Sequence, residues 1–86
     1  MGKHRKFYER VMGARVDADI SFNDLRRLLV RLGFVERIRG DHYIFTQEGV
    51  QEIINLQPKG ALAKPYQVKQ VRSLLIRYGL VEKEEE

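Results

Sequence analysis

Residues 34–46, FVERIRGDHYIFT, decide the fold that this sequence predicts. β-Branched and aromatic residues, which are frequent in strands, lie on both sides of Gly40-Asp41, and such a pair favours a two-residue β-hairpin turn. A turn of this length pairs Arg39 with His42 across the hairpin. The stretch therefore predicts two antiparallel strands with a fixed register.

This register distributes the side chains over two faces, because paired residues of a hairpin lie on the same face. One set is expected to point toward the helices: Phe34, Ile38, Tyr43 and Phe45. The other set is expected to point to the open face, the side of the sheet without helices: Val35, Arg37, Arg39, His42 and Ile44. A one-residue bulge would exchange the two sets.

The remaining elements give the order α-α-β-β-β-α. The segment VQEIINL, residues 50–56, predicts a third strand after a three-residue loop at 47–49. Apolar periodicity predicts helices at 3–12, 21–32 and 66–78, and residues 57–65 (QPKGALAKP) are expected to form a loop. The resulting α+β fold has a three-stranded antiparallel sheet with helices on one face.

The predicted helix ends are specific. Ser21 and Asp24 form a capping-box pattern at the start of the second helix. Gly13 is expected to end the first helix in a left-handed conformation, and Gly33 and Gly79 end the other two. Each of these last two glycines is followed by an apolar residue, as in a Schellman motif. The inward-facing residues of the last helix are expected to be Val68, Val71, Leu74, Leu75 and Tyr78.

Length and composition predict one small domain over residues 1–86. Residues 1–19 form an N-terminal helix and linker, 20–81 the core, and 82–86 an acidic tail expected to be disordered. The chain has no cysteine, its first residues are charged, and no apolar run reaches eighteen residues. A cytoplasmic protein without a membrane span is expected.

The charge distribution favours a polyanionic ligand. The net charge is +4, and residues 82–86 carry −3, which leaves +7 on residues 1–81. Nucleic acid is the commonest partner of such a basic body, although a basic surface can also serve solubility alone. Four cations flank the start of the last helix and predict either a phosphate site or a solvated basic loop: Lys59, Lys64, Lys69 and Arg72.

His42 is the candidate catalytic residue. In RNA strand cleavage a base removes the proton of the 2′-hydroxyl, and cations stabilise the charge that develops on the phosphoryl oxygens. Imidazole can serve as base or acid near neutral pH, and Arg37 and Arg39 would supply cations beside it. A lone surface histidine is more often inert. His4 and His42 lack carboxylates at ligand spacing, so no metal site and no cofactor are expected.

From about Phe22 to Val81 the chain resembles the HicA family of toxins from type II toxin–antitoxin systems. Four ordered segments carry the resemblance: LRRLLVRLGFVER (25–37), GDHYIF (40–45), EIINL (52–56) and AKPYQVKQVRSLLIRYGL (63–80). The resemblance implies a fold like that of double-stranded-RNA-binding domains and cleavage of mRNA by the histidine, which corresponds to His42. It also implies a HicB-like antitoxin that masks the active site.

Two features depart from the family pattern. Asp41 stands in place of the usual small hydroxyl residue before the histidine, and NLQPKG (55–60) lacks the second histidine that many members have after a proline. Three hypotheses follow: a HicA-like ribonuclease that uses His42, a non-catalytic RNA-binding module on the same fold, and a protein-interaction module that uses the open face. The resemblance favours the first.

Overall fold

The computed structural model describes residues 2–13 and 17–83 as three helices and five strands. The helices are α1 (Lys3–Met12), α2 (Phe22–Arg31) and α3 (Pro65–Tyr78). The strands are β1 (Val35–Arg39), β2 (His42–Gln47), β3 (Val50–Leu56), β4 (Pro58–Lys59) and β5 (Leu62–Ala63). The first three strands form an antiparallel sheet in the order β1-β2-β3, which confirms the predicted α+β class.

The hairpin between β1 and β2 has the predicted register. Arg39 pairs with His42, and Ile38 pairs with Tyr43. Phe45 is completely buried on the helix-facing side of the sheet, as predicted. Ile38 lies on that same side at the end of the hairpin, where the helices do not cover it, and its side chain is exposed.

The turn between β2 and β3 is tighter than predicted. Gln47 pairs with Val50, so only Glu48 and Gly49 remain in the turn instead of residues 47–49. Phe45 pairs with Ile54, so β3 has two more residues than β2 between these pairs. A shift of two residues preserves the alternation of faces, so Ile54 still points into the core.

The core fills the space between the sheet and the three helices. In α2 and α3 apolar residues three or four apart are buried together, because such residues lie on one side of a helix. Of the inward-facing residues predicted for α3, Val68, Val71, Leu74 and Leu75 are buried and Tyr78 is partly buried. A fully buried leucine contributes about 2 kcal/mol relative to an exposed one. The fully buried large side chains are Val11, Ile20, Leu25, Leu28, Leu29, Phe45, Ile54, Leu56, Val68, Val71 and Leu75.

The ends of α2 and α3 follow the sequence prediction. Ser21 Oγ accepts a hydrogen bond from the Asp24 N–H at 3.2 Å. Gly33 and Gly79 have φ values of +103° and +63°. The residue after each glycine donates its N–H to the carbonyl five residues earlier, as in a Schellman motif. The prediction for Gly13 is wrong: its φ is −70° because the chain continues the right-handed geometry of α1.

Residues 57–65 were expected to form a loop but contain the short hairpin of β4 and β5. Pro58 pairs with Ala63, and the turn is made by Gly60 and Ala61. Backbone hydrogen bonds from Ala63 N to Ile20 O and from Phe22 N to Ala61 O attach the hairpin to the start of α2. These long-range bonds explain why a segment with turn residues acquires strand structure.

The C-terminal segment is more ordered than expected as far as Lys83. Glu82 was assigned to the disordered tail, but it is buried and accepts a hydrogen bond from Arg31 Nε at 2.7 Å. The Glu82 carbonyl oxygen accepts a second bond, from Arg5 in α1. The predicted tail at 84–86 lies outside the described residues. Among the helices of the described part, none is long and apolar enough to cross a membrane.

Candidate active site

His42 lies on the open face, where the sequence predicted it. It is the first residue of β2 and follows the two-residue turn. Its side chain is 49% exposed. Arg39 is its cross-strand partner, and Arg37 pairs with Ile44, the next residue of β2 on this face. A substrate in solution can therefore reach the imidazole and the two arginines from one side.

Two side chains lie next to the nitrogens of the imidazole ring. Nδ1 of His42 lies 3.2 Å from Oδ1 of Asn55, which is on β3. An amide oxygen can only accept a hydrogen bond, so this contact is a hydrogen bond when Nδ1 carries the hydrogen. Nε2 lies 3.9 Å from Oδ1 of Asp41, too far for a hydrogen bond and close enough for an electrostatic interaction when the ring is protonated.

Asp41 is itself held in place. Its Oδ2 accepts a hydrogen bond from Nε2 of Gln57 at 3.1 Å. Gln57 lies between β3 and β4, so this bond connects the tip of the first hairpin to the start of the second. One carboxylate oxygen of Asp41 therefore accepts a hydrogen bond from Gln57, while the other lies near His42.

The arginines of the open face have no acidic partner in the part of the chain that the structure describes. Within the described residues, neither Arg37 nor Arg39 forms an ion pair. Both line a shallow depression of about 790 Å³. The depression is bordered by Val35, Arg37, Ile38, Arg39, Ile44 and Thr46. It combines cations with apolar and hydroxyl groups, a composition that suits a phosphate backbone with attached sugars and bases.

The arginines on the helix side differ in this respect. Arg26 makes two hydrogen bonds to the Glu36 carboxylate, at 2.7 and 3.0 Å. Arg31 pairs with Glu82, and Arg27 pairs with Asp24 at 3.3 Å. These three line a depression of about 460 Å³ between α1 and α2. Because these three arginines have acidic partners, they are less available to an anionic ligand than Arg37 and Arg39.

The lysines predicted to contact RNA lie in and after the second hairpin. Lys59 is exposed on β4, two residues beyond the Gln57 that contacts Asp41. Lys64 is the N-cap of α3. Neither lysine forms an ion pair with the acidic side chains that the structure describes. Lys69 is exposed on α3, and its charge helps to lower the pKa of Asp17.

The start of α3 has fewer free backbone N–H groups for binding a phosphate than the sequence predicted. Pro65 has no N–H group, and the N–H groups of Gln67 and Val68 both donate to the Lys64 carbonyl oxygen. Lys64 contributes no side-chain cap. Any attraction of this helix end for phosphate therefore comes mainly from the charge of the lysine side chains.

Arg72 does not have the exposed position that a phosphate contact requires. Its side chain is 10% exposed, and its guanidinium donates to both carboxylate oxygens of Asp17, at 2.7 and 3.1 Å. It also donates to the Val11 carbonyl oxygen at 3.1 Å. The hydrogen bond from Arg72 is the main cause that lowers the pKa of Asp17. Arg72 joins α3 to α1 and the linker and is removed from the candidate interface.

A second polar cluster lies between β3 and α3. Tyr78 OH and Arg77 both donate to the Glu52 carboxylate. The hydrogen bond from Tyr78 lowers the pKa of Glu52, and the same bond raises the pKa of Tyr78. This cluster contains neither His42 nor one of its contacts, and it secures the last turn of α3 to the sheet. The described residues contain no group of three potential metal ligands.

Asn55 is the site residue that sequence reasoning missed. Asn55 lies on β3 and pairs with Ile44 of β2, so it shares the open face with His42. The signal was present in the sequence, because a polar residue interrupts the apolar segment Ile53–Leu56. Recognising it required the register between β2 and β3, which the loop at 47–49 left undetermined.

Comparisons with family models, curated proteins and solved structures give no match to this chain.

Proposed function

We propose that this chain is a HicA-like toxin, a ribonuclease that cleaves mRNA on its open face with His42 as the general base or acid. One observation carries the proposal: the exposed imidazole of His42 contacts Asn55 and lies next to Arg37 and Arg39, which form no ion pair with the acidic side chains that the structure describes. The resemblance of residues 22–81 to the HicA family points to the same histidine.

The chemistry needs a base, a cationic surface and no metal. His42 takes the proton of a 2′-hydroxyl, and the resulting oxygen attacks the adjacent phosphorus while the bond to the 5′-oxygen breaks. The 5′-oxygen leaves and takes a proton from water. Arg39 and Arg37 stabilise the charge on the phosphoryl oxygens. Lys59 and Lys64 extend the positive surface along the bound strand.

The partner and the cellular setting belong to the same proposal. A HicB-like antitoxin binds the toxin and covers the open face, which keeps RNA away from His42. The sheet and helices are used as in a double-stranded-RNA-binding domain, and the protein acts in the cytoplasm, where mRNA is found.

Induced expression in bacterial cells tests the proposal. Wild-type protein is expected to arrest growth and deplete bulk transcripts, whereas His42→Gln abolishes both effects at equal expression. His4→Gln is a matched control, because it is the same substitution at a histidine on α1, outside the open face; this variant retains full toxicity. Equal toxicity of His42→Gln and wild type, or a harmless wild-type protein, contradicts the proposal.

A non-catalytic RNA-binding module is the second candidate. It is favoured by the Asp41 carboxylate 3.9 Å from His42 Nε2 and by Gln57 in the segment where many HicA proteins have a second histidine. A negative charge beside the ring opposes the approach of a phosphate. This alternative predicts salt-dependent binding from which intact RNA is recovered, with the same affinity after His42→Gln.

A further inference from the structure

We propose that Asn55 is a positioning residue for His42 that fixes the neutral ring as the Nδ1–H tautomer and so leaves Nε2 as the atom that accepts the proton. This inference rests on the proposed ribonuclease function. It assigns Nδ1 to the hydrogen bond with Asn55 and Nε2 to the transfer of the proton. It also gives a role to a residue outside the histidine segment on which the resemblance depends.

The geometry of β2 and β3 carries the first step. Asn55 pairs with Ile44, which places Asn55 diagonally opposite His42 on the same face. Its Oδ1 lies 3.2 Å from Nδ1 of the ring. In a neutral imidazole one nitrogen carries hydrogen and the other accepts, and the partner of one nitrogen sets the state of the other. With Asn55 Oδ1 as acceptor, Nδ1 carries the hydrogen.

The second step concerns Nε2. With hydrogen on Nδ1, the lone pair lies on Nε2, which is the ring nitrogen beside the tip of the hairpin. When Nε2 takes a proton, the ring becomes a cation with both N–H groups near an oxygen: Asn55 Oδ1 at 3.2 Å and Asp41 Oδ1 at 3.9 Å. Asp41 therefore stabilises the charge that forms on the ring during proton transfer.

The third step concerns the hydrogen bond that Gln57 donates to Asp41. Gln57 donates to Asp41 Oδ2 and keeps that oxygen occupied, while Oδ1 remains on the side of the ring. The two departures from the family pattern, Asp41 and the segment containing Gln57, thus contact one another next to the candidate base.

Ring-nitrogen NMR of the full chain tests the tautomer directly. At a pH at which the ring is neutral, wild-type His42 is expected to show a protonated Nδ1 and an unprotonated Nε2. Asn55→Leu removes the acceptor at similar size and is expected to shift the ring to the Nε2–H tautomer that free histidine prefers. Asn55→Asp keeps an oxygen acceptor and restores Nδ1–H. The variant His4→Gln identifies which signals belong to His42.

Cleavage kinetics supply the second readout. Asn55→Leu is expected to reduce kcat by about tenfold or more with little change in KM, because it alters the base and not the binding surface. An Nε2–H ring in wild type, or a tautomer unaffected by Asn55→Leu, overturns the inference. If wild type cleaves RNA and Asn55→Leu cleaves it equally fast, this inference fails and the proposed function stands. If wild type cleaves no RNA, the proposed function fails, and the catalytic role of Asn55 fails with it, whatever the tautomer.

Discussion

At the level of single residues, the chain uses similar side chains for opposite purposes. Arg39 is exposed on the open face and pairs with none of the described carboxylates, whereas Arg72 donates hydrogen bonds to Asp17 and to the Val11 carbonyl oxygen. The sequence could not separate them, because the partner of Arg72 lies 55 residues away. The sequence predicted the position of His42 on the open face, since that position depends only on the neighbouring turn at Gly40-Asp41.

The Arg72–Asp17 pair predicts a large effect of Arg72→Met on stability. Removing one partner leaves the Asp17 carboxylate partly buried without its main hydrogen-bond donor. We expect a loss of about 2 kcal/mol in the free energy of unfolding, measured by urea denaturation. Arg27→Met is the control, because its pair with Asp24 is exposed and contributes less than about 1 kcal/mol. Equal losses in the two variants would contradict this account.

The same pair predicts a pH dependence of stability. The pKa of Asp17 in the folded protein lies below its ordinary value of 3.8 because Arg72 donates to it. Its stabilising contribution is therefore complete above the unfolded pKa and is lost as the pH falls through the lower folded pKa. Wild type should lose more stability than Asp17→Asn when thermal unfolding is followed into this acid range. Parallel curves would show that the pair does not act in this way.

At the level of elements, local signals determined the β1–β2 hairpin, while long-range bonds determined the β4–β5 hairpin. The pair Gly40-Asp41 and the β-branched and aromatic residues around it were sufficient for the first. The second contains Pro58 and Gly60, which predict a loop, and its strands are held by backbone bonds to residues 20–22. Such bonds cannot be inferred from a short window of sequence.

The two Schellman glycines predict different costs for the same substitution. Gly79→Ala places a methyl group in open space, so the cost is that of a left-handed backbone, about 1 kcal/mol. Gly33→Ala adds a contact of 3.3 Å with Gln47 Nε2, which already donates to the Leu32 carbonyl oxygen. Gly33→Ala is expected to be the more destabilising of the two in chemical denaturation, and the reverse order would refute the explanation.

At the level of the whole molecule, the arginines of α2 and those of the open face differ in their acidic partners. Arg26, Arg27 and Arg31 each pair with a carboxylate, whereas Arg37 and Arg39 form no ion pair within the described residues. Net charge and composition predicted a polyanion ligand, but only the three-dimensional arrangement shows which of these arginines are paired.

The difference between cations with and without acidic partners predicts which substitutions change RNA binding. Lys59→Gln is expected to weaken binding to any RNA sequence and to reduce the slope of log affinity against log salt by about one phosphate contact. Arg27→Gln removes the same net charge from α2 and should leave that slope unchanged. Affinities measured over a salt series decide between them. Equal slopes for Lys59→Gln and Arg27→Gln would mean that RNA responds only to total charge.

The central claim is that the exposed ring of His42 cleaves RNA, and it is tested most directly by cleavage of a labelled single-stranded RNA with purified proteins. Wild type is expected to release fragments, and His42→Gln to do so at least about a hundredfold more slowly while binding RNA equally well and unfolding at the same temperature. Equal cleavage rates for the two proteins, or intact RNA after incubation with wild type, would contradict the claim.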